Sequence, residues 1–94
     1  MAYTIDKITP TKYEWDKKWT VTADLRSLET FEQYDSNYDI VDKLKENKVL
    51  SNKTSEDSEM CQFFAYFSSK KSAESFIKRL GNYVEKRKKI IASL

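Results

Sequence analysis

The chain has 94 residues, 39% of them apolar, with 17 basic and 15 acidic side chains, one cysteine, one glycine and no histidine. That length makes one domain, which buries about two-thirds of the surface its extended chain would expose. The lack of histidine removes the commonest general base and metal ligand. A single glycine excludes the Gly-rich phosphate and dinucleotide loops, and a single cysteine excludes an intramolecular disulfide.

In chain order, residues 3–8 alternate apolar and polar at Tyr3 and Ile5 and slip phase at Ile8. This predicts a short strand ending near Pro10, since proline belongs at a strand end or an edge. Tyr13 and Trp15 then share one face, and after Asp16-Lys17-Lys18 so do Trp19, Val21, Ala23 and Leu25. A three-residue loop would set Trp15 against Trp19 and Tyr13 against Val21 in an antiparallel hairpin, with Thr20, Thr22 and Asp24 facing water. Leu28 and Phe31 fit either a helical turn or a loop.

Ser36 is a candidate N-cap, with Asp39 three residues on in the capping-box position. Ile40, Val41 and Leu44 form the apolar stripe of a helix near 36–48, and Lys43, Lys45 and Lys48 crowd its C-terminal end. Val49–Thr54 reads as a strand and residues 55–58 as a turn. Met60–Phe67 (MCQFFAYF) is the strongest strand pattern, with aromatics on both faces, which predicts a central strand covered on both sides. Cys61 within it reads as a buried structural thiol.

Ser68-Ser69 opens the last helix, near 69–92. Ala73, Ile77, Leu80, Val84, Ile91 and Leu94 keep 4,3 spacing with Arg87 as the one break, and the phase runs unbroken through Gly81. A continuous helix follows, at a cost of about 1 kcal/mol for its glycine.

The stretch FFAYFSSKKSAESFIKRLGN, Phe63 to Asn82, resembles the strand-then-helix half of an RNA-recognition-motif domain. That resemblance implies base stacking on exposed aromatics of the central strands. Phe64 and Phe67 fall on positions that are aromatic in that family. Its basic position, glycine and first stacking aromatic fall on Met60, Cys61 and Gln62, which do not match. The likeness spans about a fifth of the chain and fits many ferredoxin-like α/β sandwiches.

Charge is unevenly spread. Residues 70–94 hold eight basic and two acidic residues, net +6, whereas residues 1–69 hold nine and thirteen, net −4. A helix of 23 residues spans about 35 Å at 1.5 Å per residue, against a radius of gyration of about 13 Å for a domain this size. Its last turns, from about residue 82, should therefore extend beyond the sheet as a helical C-terminal extension. Lys86, Arg87, Lys88, Lys89 and Ile90, with Lys78 and Arg79, make the candidate partner-binding end. Asp35, Asp39, Asp42 and Glu46, spaced 4,3,4, make a second candidate, an acidic stripe for a basic partner. The two stripes could also meet each other, within one chain or across a homodimer.

The expected fold is a two-layer α+β sandwich. An antiparallel sheet with an N-terminal hairpin is covered by two helices, the last one long, and a ferredoxin-like variant fits the same elements. The expected function is that of a non-enzymatic protein-binding regulator, inhibitor or adaptor of phage type, in the cytoplasm, with no cofactor, no metal, no catalytic residue and no membrane span. A nucleic-acid-binding module using the basic helix is the alternative, and catalysis by carboxylates alone is a distant third.

Overall fold

A computed structural model describes residues 8–12, 18–28, 30–31 and 34–93. Among the described residues, four strands form one antiparallel sheet in the order β1-β2-β4-β3: β1 (Thr11–Lys12), β2 (Trp19–Ala23), β3 (Ser55–Glu56) and β4 (Phe63–Phe67). Two helices follow the expected plan, α1 (Asn37–Glu46) and α2 (Lys70–Ala92). This is the two-layer α+β arrangement read from the sequence.

One sheet face carries the core. Val21 and Ala23 of β2 and Phe63, Ala65 and Phe67 of β4 join Ile40, Val41 and Leu44 of α1 and Ala73, Phe76, Leu80 and Val84 of α2 in a single buried cluster. Phe76 lies between Phe63 and Phe67, with ring centroids 5.9 and 5.5 Å away. Each such fully buried ring contributes roughly 1.5–3 kcal/mol. β4 is central, and its two faces are buried to different degrees. Phe64 and Tyr66 on its other face remain half-buried, opposite Thr22 and Thr20 of β2.

The hairpin pairing differs from the expected one. Lys12, not Trp15, faces Trp19, and Thr11 faces Thr20, a register shift of three residues. The Lys12 and Lys70 ammonium groups lie 5.9 and 5.7 Å from the centre of the Trp19 ring. Tyr3, Ile5, Tyr13, Trp15 and Leu94 lie outside the described residues. Residues 3–7 of the strand expected to end near Pro10 lie outside the described residues, and β1 is a separate strand after the proline. Thr20 does not face water: it is buried, and its hydroxyl oxygen has no partner among the described residues.

Val49–Thr54 is not a strand. α1 ends in a Schellman turn in which Lys48 takes the left-handed position usually held by glycine, with φ 59°. Val49 N–H donates to the Leu44 carbonyl at 2.9 Å and Lys48 N–H to that of Lys45 at 3.1 Å. The turn drives Val49 and Leu50 straight into the core. Ser55–Glu56, expected as a turn, is the edge strand β3. The β3–β4 register continues through Asp57 N–H to Phe64 O (3.0 Å) and Glu59 N–H to Gln62 O (2.7 Å), which leaves Met60 and Cys61 as the hairpin tip. Both are exposed, so Cys61 is not a buried thiol.

Asn37, the first residue of α1, ties this tip to the middle of the chain. It is fully buried, and its Oδ1 accepts from Leu25 N–H at 2.7 Å. Its Nδ2 donates to Asp24 Oδ1 at 3.0 Å and to the Met60 carbonyl at 2.9 Å. Leu25–Ser27 is a 3-10 turn capped by the Asp24 side chain. Ser36 caps α1 by position, yet its hydroxyl bonds the Asp39 carboxylate at 3.3 Å rather than the backbone.

Candidate functional site

α2 is continuous through Gly81, and its N-cap Ser69 accepts from Ser72 N–H at 3.1 Å. Its core stripe runs Ala73, Phe76, Leu80, Val84, and Val84 is the last buried residue. The helix continues for two further turns, and the molecule measures 46 × 26 × 24 Å along its principal axes. Ile90 and Ile91 in those turns are 53% and 46% exposed. Ile91 lies seven residues beyond Val84, so it repeats the core stripe past the last buried residue of α2.

The basic end does not act as one block. Lys86 and Lys89 are exposed. Arg87 is half-buried, its guanidinium carbon 5.5 Å from the centre of the Phe31 ring and 5.8 Å from that of Tyr83. Its Nε is enclosed without an acceptor. The break in the apolar stripe is thus filled by a cation laid on aromatic faces, a favourable contact that also covers ring surface with the arginine stem. Lys88 bridges Glu85 one turn earlier at 3.6 Å. The core accordingly reaches further along α2 than Leu80, and the projecting part starts after Arg87.

Lys78 and Arg79 part company with that end. Lys78 is exposed. Arg79 donates from Nε to the Val49 carbonyl at 3.0 Å, which fixes it against the turn after α1.

Asp35, just before α1, and Asp39, Asp42 and Glu46 within it are all exposed. Glu46 is bridged by Lys43 of its own helix at 3.6 Å, and the three aspartates form no ion pair with a described residue. The acidic stripe and the basic helix end are therefore not brought together within the chain. α1 meets α2 through Asn47 instead, whose Nδ2 donates to the Tyr83 hydroxyl at 3.2 Å. No group of acidic and cysteine side chains able to hold a metal occurs among the described residues.

The best-built polar cluster was not marked by any motif. Asp24 accepts from Arg26 Nε at 3.0 Å and Nη2 at 2.9 Å, and from Asn37. The Arg26 hydrogen bonds, and after them those from Asn37 and the Arg26 backbone, hold the Asp24 carboxyl below its ordinary value, against the pull of partial burial. Every partner in it is structural, so it braces the 3-10 turn against α1.

No helix among the described residues is long and apolar enough to cross a membrane. Comparison with protein families, with curated proteins and with solved structures finds no match.

Proposed function

We propose that this chain is a small non-enzymatic regulatory protein, an inhibitor or adaptor, that binds another protein through the projecting end of α2. The observation that carries the reading is the exposure of Ile90 and Ile91, at 53% and 46%, on a helix continuing past its last buried residue. Adjacent apolar side chains on a rigid helix, flanked by the exposed ammonium groups of Lys86 and Lys89, suit an apolar groove rimmed by carboxylates. Such a partner gains burial from the isoleucines and orientation from the lysines. The absence of histidine from the sequence supports a binding role over a catalytic one.

The test is partner recovery from the native host with the chain as it stands and with Ile90→Asp plus Ile91→Asp. Neither side chain belongs to the core, so the variant should melt as the native chain does. Loss of the recovered partner is expected. An unchanged partner set together with an unchanged oligomeric state would contradict the reading, and a change in oligomeric state alone would make the partner a second copy.

A further inference from the structure

α2 has a second basic surface, at its opposite end. Where β4 runs past the end of β3, a groove of about 770 Å³ opens between the sheet edge and the first turns of α2. Lys18, Lys53, Lys71 and Arg79 line it. A smaller hollow of about 430 Å³ adjoins, sharing Lys53 and Arg79 and adding Lys45 and Lys48. These cations come from β2's approach, from the segment before β3 and from both helices, so no run in the sequence reveals them. No carboxylate lines either hollow among the described residues. That is unlike the rest of this chain, where 15 acidic residues are interspersed with the basic ones.

Lys45 is bridged to Glu56 at 3.7 Å. Lys48, Lys53 and Lys71 have no carboxylate partner among the described residues. Arg79 is held by its Nε on the Val49 carbonyl, and its two terminal nitrogens make no hydrogen bond. An arginine oriented in this way presents a planar fork suited to the oxygens of a phosphate. Hydroxyls of Ser55, Ser68, Ser72 and Ser75 line the larger hollow and add neutral donors.

We propose that this groove binds a chain of phosphates, lying from Lys71 past Arg79 and Lys53 to Lys48. Two adjoining hollows that share Lys53 and Arg79 favour a run of phosphates over a single one. The backbone of a single-stranded nucleic acid and a free oligophosphate share that chemistry. The inference uses none of Lys86, Lys89, Ile90 or Ile91, so it stands or falls separately from the function proposed above.

Fluorescence anisotropy with a labelled oligothymidylate, competed by inorganic tripolyphosphate at low and rising salt, tests it. Binding should weaken steeply with salt. Lys53→Glu with Lys71→Glu should lower affinity by at least about tenfold, while Lys86→Glu with Lys89→Glu, an equal change of net charge, should stay within about threefold. Competition by tripolyphosphate would mark phosphate alone as sufficient, and binding without competition would mark the nucleic-acid strand as the ligand. Failure of both probes to bind at low salt, or equal losses from the two charge reversals, would overturn the proposal. Lys53, Lys71, Lys86 and Lys89 are all exposed, so each variant should fold, which a thermal melt checks.

Discussion

The Arg87 guanidinium lies over the Phe31 ring, 5.5 Å from its centre, while the neighbouring Lys86 and Lys89 stand in solvent. One basic run thus contains a structural cation, Arg87, beside the exposed Lys86 and Lys89. Reversing charge at Arg87 sets a carboxylate against two aromatic faces beside the core. Arg87→Glu should destabilise the fold by about 1–2 kcal/mol. Lys86→Glu and Lys89→Glu should each stay within about 0.5 kcal/mol. Urea unfolding of the three variants measures the contrast, and equal effects would mean that the Arg87 contact contributes nothing.

Asn37 is the second position where one side chain holds distant segments together. Removing its amide leaves the Leu25 N–H and part of the Met60 carbonyl without partners in a buried place. Asn37→Ala should cost about 2–4 kcal/mol, and Asn37→Asp nearly as much because it sets a second carboxylate against Asp24. A loss below about 0.5 kcal/mol would show that water replaces the amide without penalty.

The same cluster gives the chain a defined acid response. The Asp24 carboxyl is lowered from 3.8 in the folded state. Its contribution is therefore complete above the ordinary carboxylate value and is lost as pH falls through that value toward the folded one. Asp24→Asn should be less stable than the native chain at neutral pH, and the difference should shrink below about pH 4. Urea midpoints at several pH values follow it, and a constant difference would contradict the linkage.

Lys48 occupies a left-handed position, φ 59°, that glycine takes without steric cost. Lys48→Gly should stabilise the fold by about 0.5–1 kcal/mol even though it removes a side chain from the surface. A loss of stability would show that the lysine stem contributes packing there. Thr30, at φ 79°, is the more strained case because it is β-branched.

How far these features could be read in advance depended on how local their causes are. The stripes of α1 and α2 follow a 3.6-residue period that needs no knowledge of the partner, and the helices fall where the period places them. The absence of a break at Gly81 was legible for the same reason. The turns were not legible, because this chain makes them without the usual residues. Met60-Cys61 sits at a hairpin tip while looking like strand, and Lys48 does the work of a C-cap glycine. β1 pairs out of the expected register, and Trp19 takes cations from Lys12 and from Lys70, the second of them some fifty residues away. The basic groove was hidden by the same distance, since Lys18, Lys53, Lys71 and Arg79 are neighbours only after the sheet and helix dock. By contrast, the exposed isoleucines at the end of α2 followed from helix length alone.

The central claim is that the end of α2 is the contact surface. It is tested most directly by placing a photo-crosslinking residue at position 90 and, in a parallel chain, at Tyr38, which is also exposed, on α1. Irradiation in the native host, followed by mass spectrometry, should join position 90 to one protein species at sites flanked by acidic residues, and position 38 to none in comparable yield. Crosslinks from position 38 alone, or none from either, would contradict the account.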